Sequence, residues 1–232
     1  MSHVLSLRTV YEAARITVPT FLESYFAPIS RDVADRRLAE FARRVVRNAR
    51  IDIQVEGRER VPGDHSFVYM SNHQSHMDIP VLYSVVPARS LRMVGKKELF
   101  RVPLWGRAMR VAGFVEIDRQ NRSKAIASLD QAVGQVRDGT SIWIAPEGSR
   151  SRTGQLGRLK KGGFHLARDA GVPIVPVALS GTLAILPPGT TSTKSGCAVK
   201  VVFGDPIPVE GRTVDDLLGE VERFLRTNVS PA

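Results

Sequence analysis

The sequence predicts an α/β fold, with a single mostly parallel sheet flanked by helices and an N-terminal helical segment. From residue 51 onward, short apolar runs alternate with stretches of helical periodicity, which is typical of the strand–helix units that build a parallel sheet. The 232 residues, of which 43% are hydrophobic, are enough for one domain with a sizeable core. No internal repeat, low-complexity tract or linker indicates a second globular domain.

The predicted elements follow from these patterns in chain order. Alternating or continuous apolar runs predict strands over 51–55, 66–70, 91–94, 115–117, 141–145, 174–179 and 199–203. Helical periodicity, with glycine or proline near several boundaries, predicts helices over 31–50, 78–86, 98–111, 123–137, 162–170 and 214–225. The uncharged stretch 172–193 is interrupted by proline and glycine, so it predicts a buried strand followed by a loop and not a membrane-spanning helix.

The N-terminal segment, residues 1–50, differs from the α/β domain predicted over 51–232. Charges interrupt the apolar residues of 4–29, and Pro19 predicts two short helices or one kinked helix. Apolar side chains at helical spacing follow this proline, namely Phe21, Leu22, Tyr25 and Phe26. They can pack on the domain or enter the headgroup region of a lipid surface, and the two interpretations are compatible. The N-terminus lacks the basic and apolar regions of a secretory signal.

The net charge of +10 is concentrated in the middle of the chain. Residues 89–161 carry 16 lysines and arginines against 6 aspartates and glutamates, which equals the whole net charge. Such a positive region suits phosphate-bearing substrates, anionic lipid surfaces or nucleic acid. A nucleic-acid-binding module is disfavoured because only 6% of residues are aromatic and no basic–aromatic motif appears. The single cysteine, Cys197, excludes an internal disulfide and fits a reducing compartment.

One short segment predicts chemistry at the end of the second strand. His73 and Asp78 lie five residues apart, and Pro80 fits the first turn of the helix that follows. The carboxyl end of a strand is where open α/β sheets place their sites. A histidine oriented by a carboxylate is a general base, although Asp78 could instead cap the helix. Ser75 would complete a hydrolase-like triad, but no G-x-S-x-G elbow occurs in the chain.

Three later blocks strengthen the catalytic interpretation. They are 113–119 (GFVEIDR), 145–151 (APEGSRS) and 172–177 (VPIVPV). Together with the first block, N-H-x-x-x-x-D at 72–78, they resemble in order and spacing the four sequence blocks of the glycerolipid acyltransferases, the family of 1-acylglycerol-3-phosphate acyltransferase. The third block resembles F-P-E-G-T-R-S, with Ala145 in place of phenylalanine and Ser149 in place of threonine. The resemblance spans about residues 50–210.

The resemblance implies roles for particular residues. His73 would be the base and Asp78 its partner, while Ser75 would carry no acyl group. The second block would bind the phosphate of the acceptor through Arg119, and Glu147 would bind or orient the glycerol unit. The full set of implied substrate-binding residues is Asn72, Gly113, Phe114, Arg119, Glu147, Gly148, Ser149 and Arg150. Further candidates for the carrier or a phosphate are Lys96, Lys160 and Lys161; each is equally compatible with an ordinary basic surface.

The expected reaction is transfer of a fatty acyl chain from acyl-CoA or acyl carrier protein to the free hydroxyl of 1-acylglycerol 3-phosphate, giving phosphatidic acid. Another lysophospholipid or lyso-ornithine lipid remains an alternative acceptor. No metal and no bound cofactor are expected, because one cysteine and five histidines form no ligand cluster. The resemblance also tilts the N-terminal segment towards lipid, so the expected location is the cytoplasmic side of the cell membrane, peripheral or monotopic, on an anionic surface.

Overall fold

The computed structural model describes residues 2–230. Within them, seven strands form one sheet: β1 (Asp52–Glu56), β2 (Val68–Ser71), β3 (Leu91–Lys96), β4 (Val115–Ile117), β5 (Ser141–Ile144), β6 (Ile174–Ser180) and β7 (Ala198–Phe203). Their order across the sheet is β1-β7-β6-β2-β5-β3-β4. Every neighbouring pair is parallel except β6 and β7. The predicted mostly parallel α/β sheet is therefore confirmed.

Helices cover both faces of this sheet. They are α1 (His3–Glu23), α2 (Arg31–Asn48), α3 (Asp78–Val85), α4 (Trp105–Val111), α5 (Arg122–Arg137), α6 (Gly162–Ala170), α7 (Thr182–Ile185) and α8 (Val214–Asn228). On one face α2 packs on α3, and α1 lies across α2 and α4. On the other face α6 contacts both α5 and α8. Within residues 2–230, no helix has both the length and the apolar composition needed to cross a membrane.

The two faces of the sheet carry separate hydrophobic cores. Successive residues of a strand point to opposite faces, so Tyr69 and Trp143 pack towards α2 and α3, whereas Met70 and Ile142 pack towards α5, α6 and α8. The central strands are buried on both faces, as parallel strands between two helical layers must be. This sandwich fixes the carboxyl ends of β2 and β5, where the first and third sequence blocks begin.

The sheet divides at β3. Residues Leu91 to Met93 pair with β5, but the pairing then stops, and Val94 to Lys96 pair only with β4. β3 and β5 therefore diverge beyond Met93 and Trp143. We call this opening the fork; it is bounded by Val94 and Gly95 on one side and by Ile144 on the other.

Two segments differ from the prediction, and at Pro19 the structure has one of the two predicted alternatives, a single helix. The helix predicted over 98–111 is instead a 3-10 turn, Leu99–Arg101, followed by α4. Pro103 lacks an N–H and pushes Val102 to an extended conformation, with ψ of 125°, and Leu104 has φ of +62°. The loop predicted after β6 contains the short helix α7. Pro19 lies inside the single helix α1, where the Thr20 hydroxyl donates to the carbonyl of Ile16 at 2.6 Å.

Candidate active site

His73 and Asp78 meet in the turn between β2 and α3. The distance from His73 Nδ1 to Asp78 Oδ2 is 2.6 Å, and the carboxyl group is fully buried. The same oxygen accepts hydrogen bonds from the backbone N–H groups of Gln74 at 2.8 Å and Ser75 at 3.0 Å. Asp78 therefore holds the turn that precedes α3 as well as the imidazole. With Nδ1 donating to the carboxylate, Nε2 carries the lone pair and can accept a proton.

The imidazole is held from a second side by an aromatic ring. The Trp143 ring meets the His73 ring edge to face, with centroids 5.8 Å apart and an angle of 87° between planes. Trp143 is itself fixed because its Nε1 donates to the hydroxyl of Ser71 at 2.9 Å. The His73 side chain keeps 17% of its surface exposed and faces a cavity. Its orientation is thus set by packing as well as by Asp78.

Glu147 acts on the backbone of this turn. Its Oε1 accepts a hydrogen bond from the N–H of His73 at 2.8 Å, and its Oε2 accepts one from the N–H of Gly157 at 2.7 Å. Burial raises the pKa of Glu147 above its usual value, while the two N–H donors oppose that rise. The resemblance implied contact with the glycerol unit. In this geometry both oxygens bind backbone, so Glu147 positions His73.

Asn72 is also occupied by backbone. Its side-chain nitrogen donates to the carbonyl of Leu179 at 2.8 Å, and its side-chain oxygen accepts from the N–H of Leu179 at the same distance. The side chain is 1% exposed. Asn72 therefore ties the end of β2 to β6 and does not line the cavity, contrary to the substrate-binding role that the resemblance implied.

Ser75 is not arranged as a nucleophile. Its hydroxyl donates to the carbonyl of Leu186 at 2.8 Å and accepts from the N–H of Met77 at 3.1 Å. The residue is fully buried and lies outside the lining of the cavity. The hydrolase-like triad is therefore not formed, because the hydroxyl is directed at the backbone and not at His73.

The cavity in front of His73 has a volume of about 1460 Å³. Ordinary small-molecule pockets measure roughly 300–1000 Å³, so this one has room for more than one small ligand. Basic residues from the sequence blocks and nearby loops line part of it, namely Lys96, Arg119, Arg150, Lys160 and Lys161. Phe114 and Ser149 also line it. Most of the remaining wall is apolar and comes from α1, α3, α4, α5 and α6.

The second and third blocks meet at Gly148. The guanidinium of Arg119 donates to the carbonyl of Gly148. Gly148 has φ of +73°, and a Cβ added there would lie 2.8 Å from Nζ of Lys160. Arg119 and Lys160 thus stand on two sides of one glycine, so their charges reach the same end of the cavity. The positive φ explains why glycine is favoured at this position, because side chains with a Cβ rarely adopt this conformation.

Arg150 lies beside His76, which also lines the cavity. His76 is exposed at the cavity wall, but the protein atoms around its ring partly desolvate it and lower its pKa to about 4, with further lowering by the nearby Arg150 and His73. His76 is therefore neutral at pH 7, and the positive field here comes from the lysines and arginines.

Two other predicted site residues have structural partners. Gly113 lies in the turn between α4 and β4, with φ of +85°, and an added Cβ would meet Nε of Arg92 at 3.4 Å. It does not line the cavity. The ammonium of Lys161 lies 2.7 Å from a carboxylate oxygen of Asp215, so part of its charge is already balanced. Among the residues that the structure describes, no cluster of His, Cys, Asp or Glu could hold a metal ion.

Two residues of this site were not predicted from the sequence. Trp143, which packs on His73, lies in a strand just before the third block, and its alternation with Ile144 signals only which face of the sheet it occupies. Gly157, which anchors Glu147, lies in an irregular segment where no periodicity predicts a contact ten residues away.

Known proteins resemble this chain in both sequence and fold. The 1-acyl-sn-glycerol-3-phosphate acyltransferase LPAT1 of Arabidopsis thaliana chloroplasts is 36% identical over 169 residues, which cover 72% of this chain and 46% of that protein. The human 1-acyl-sn-glycerol-3-phosphate acyltransferase alpha is 34% identical over 175 residues, covering 75% and 61%. The chain thus spans about half to three fifths of the length of these relatives.

A solved structure and a family model agree with these matches. The crystal structure of the 1-acyl-sn-glycerophosphate (LPA) acyltransferase PlsC from Thermotoga maritima superposes with a TM-score of 0.81 at 27% identity, covering 97% of this chain and 93% of that one. The acyltransferase family model matches residues 52–180, more than half of the chain and all four sequence blocks. This chain therefore belongs to the acyltransferase family.

Proposed function

We propose that this chain transfers a fatty acyl group from an acyl thioester to the free hydroxyl of 1-acylglycerol 3-phosphate, forming phosphatidic acid in phospholipid synthesis. The observation that carries the proposal is the His73–Asp78 pair, which opens into a large cavity that is apolar over most of its wall and basic at one end. A base beside both kinds of surface suits a phosphorylated lipid with a hydroxyl to acylate. The names of the relatives support the same substrate.

The proposed chemistry needs one proton carrier. Nε2 of His73 takes the proton of the acceptor hydroxyl as its oxygen attacks the thioester carbonyl, and a C–O bond forms. When the tetrahedral intermediate collapses, the C–S bond breaks and the imidazolium returns the proton to the departing thiolate. Asp78 stabilises the imidazolium between these two steps and keeps the ring oriented. The acyl group passes directly to the acceptor, and no bound cofactor takes part.

The acceptor phosphate is proposed to bind where Arg119 and Lys160 converge on Gly148, with Arg150 and Lys96 as further cations in the same cavity. A guanidinium binds a phosphate through two parallel hydrogen bonds and stays charged at every relevant pH. The acyl donor is proposed to be acyl-CoA or acyl carrier protein, each of which presents a thioester on a long arm.

The N-terminal segment, residues 1–50, is proposed to associate with a membrane, and residues 51–232 are proposed to form the acyltransferase domain. Several large apolar side chains of this segment are at least 60% exposed: Val4, Leu7, Val10, Tyr11, Tyr25 and Phe26. Such a surface is rare on a soluble monomer and suits the interfacial region of a bilayer. The proposed location is the cytoplasmic side of the cell membrane, peripheral or monotopic, with the basic region near anionic headgroups.

A matrix of substrates tests this function. Purified protein is incubated with several acyl-CoA and acyl carrier protein thioesters and with lysophosphatidic acid, lysophosphatidylcholine, lysophosphatidylethanolamine and lyso-ornithine lipid, and the products are read by lipid mass spectrometry. We expect phosphatidic acid as the main product. Transfer only to an acceptor without a phosphomonoester, or thioester hydrolysis without transfer, would overturn the proposal.

A further inference from the structure

The cavity is lined by apolar residues from both faces of the sheet, and we call the part on each face a lobe. The first lobe is walled by Met77, Tyr83, Met93 and Phe114 together with α1 and α4. Met77 and Met93 belong to the core beneath α2 and α3, and Tyr83 and Phe114 pack against it. The second lobe lies between α5 and α6, and its walls include Ala125, Ile126, Leu129, Val133 and Leu166. Leu129 and Leu166 belong to the other core, with Ala125 and Val133 packed against it. One continuous cavity therefore reaches both faces.

The fork in the sheet explains how the lobes communicate. Val94, Gly95 and Ile144 bound the fork, and all three line the cavity. An unbroken sheet would separate the two faces by its hydrogen-bonded backbone. His73 and Trp143 stand at the same place, since Trp143 is the last β5 residue paired with β3. The two lobes thus meet beside the candidate base.

The second lobe has a basic mouth. Arg119 precedes α5 and Lys160 precedes α6, and both reach Gly148 at the end of the lobe nearest His73. Inside, the wall is mostly apolar, although Asp130 of α5 and His165 and Asp169 of α6 also line it. Ile126 remains 50% exposed although it is a large hydrophobic residue that faces the cavity. A cleft with cations at its mouth and apolar walls complements an amphiphile that carries an anionic group and a hydrocarbon chain.

We infer that the lobe between α5 and α6 is the binding site for the acyl chain that the acceptor already carries. This inference rests on the proposed function, because it names a subsite for the lysophospholipid of that reaction. The phosphate at Arg119 and Lys160 and the free hydroxyl at His73 place the glycerol unit at the fork, and its resident chain then extends between the two helices. The lobe, and Ala125, Ile126 and Val133 in particular, would set the preference for the chain of the acceptor.

The first lobe is better placed for the chain that is transferred. The His73 ring packs on Trp143, whose side chain belongs to the core on the α3 side of the sheet, and Met77 continues from the same turn into the first lobe. A thioester carbonyl that is within reach of His73 has this lobe directly behind it. Two chains therefore have two separate places, and the second lobe begins at Arg119 and Lys160.

Filling the second lobe tests the inference. Ala125→Phe places a ring in the cavity, whereas Ala127→Phe places the same ring on the exposed side of the same helix and serves as the matched control. KM is measured for acceptors with an oleoyl or a hexanoyl resident chain, and separately for donors of different chain length. We expect Ala125→Phe to raise KM for the oleoyl acceptor about tenfold or more, equal to about 1.4 kcal/mol, with little change for the hexanoyl acceptor. The donor profile stays as in the wild type.

A gentler variant keeps the test decisive if Ala125→Phe does not fold. Ile126→Ala removes a half-exposed side chain, so folding is preserved, and it should raise KM for the oleoyl acceptor several-fold. If either variant changes the donor profile instead, the lobe holds the donor and the inference is overturned. Unchanged acceptor kinetics in both variants would overturn it as well. Failure of the proposed function is distinct, because it appears as absence of transfer by the wild type.

Discussion

The carboxylate of Glu147 accepts a hydrogen bond from the backbone N–H of His73 at 2.8 Å, so these two residues are joined through the main chain and not through the imidazole. The other carboxylate oxygen holds Gly157. Through Glu147, the third sequence block therefore stabilises the backbone of the first block. Loss of the Glu147 carboxylate would release the turn that orients the His73 imidazole. The imidazole and its partner Asp78 would both remain present.

Glu147→Gln tests whether these two hydrogen bonds position His73. The amide keeps one acceptor oxygen, but its NH2 group faces the N–H of either His73 or Gly157. That backbone N–H then has no acceptor, which costs about 1–3 kcal/mol. We expect a large fall in kcat with KM for the acceptor nearly unchanged. Steady-state kinetics would show the reverse split, a raised KM at constant kcat, if Glu147 bound the glycerol unit directly.

Arg119→Lys tests the phosphate site. Lysine keeps the charge but loses the two-pronged hydrogen bonding of the guanidinium, so KM for the phosphorylated acceptor should rise more than KM for the acyl thioester. Arg223→Lys is the control, because Arg223 is exposed on α8 and does not line the cavity. Equal changes in both KM values would mean that Arg119 does not anchor the acceptor.

Leu22→Ser with Phe26→Ser tests the membrane surface. The two side chains are 53% and 90% exposed, so their loss removes little folded-state packing. Each would contribute up to about 1.5–3 kcal/mol if fully buried in lipid. The affinity for phosphatidic acid vesicles, measured by cosedimentation, should therefore fall at least tenfold in the double variant. Val55→Ser, on the edge strand β1, is the control and should bind as the wild type does. Unchanged binding of the double variant would show that these residues are not at the lipid boundary.

A buried ion pair ties the N-terminal helices to the second block. Arg92 is 3% exposed, and its guanidinium bonds Asp35 of α2 and the carbonyl of Ala112, next to Gly113. Arg92→Met removes the guanidinium from both acceptors, although Asp35 still accepts a hydrogen bond from the Ser90 hydroxyl at 3.2 Å, and loss of one member of a buried pair costs about 3–5 kcal/mol. Urea unfolding should show a decrease in the free energy of unfolding near the lower end of this range, because the Asp35 side chain is 20% exposed. Arg110→Met, which breaks the exposed pair with Glu116, should cost about 1 kcal/mol or less.

The strands and most helices were predictable because their patterns are local. β4 and α6 have the predicted bounds, and α3 begins at Asp78, as the position of Pro80 indicated. The interruption at Pro103 was signalled by the sequence, but the apolar periodicity on either side suggested a continuous helix. The positive φ of Leu104 depends on packing around the turn, so no local pattern predicts it.

The site was predictable in part for a similar reason. The His73–Asp78 spacing and the sequence blocks predicted that these two residues meet, as they do, and the cavity beside them is lined by Arg119, Arg150 and Lys160. The partners of Glu147 and Asn72 are backbone groups at Gly157 and Leu179, and only the folded chain brings them together. The polar residues of the motifs were expected to face the substrate. In the structure, Glu147 and Asn72 instead form hydrogen bonds with the backbone next to the cavity.

The central claim is that His73, oriented by Asp78, is the base. The most direct measurement is the turnover of His73→Ala and Asp78→Asn with acyl-CoA and lysophosphatidic acid, beside Ser75→Ala as a control from the same turn and circular dichroism to confirm folding. We predict losses of about 10²–10⁴-fold for the first two variants, whereas Ser75→Ala stays active and is only less stable. Near-normal turnover by folded His73→Ala would contradict the account.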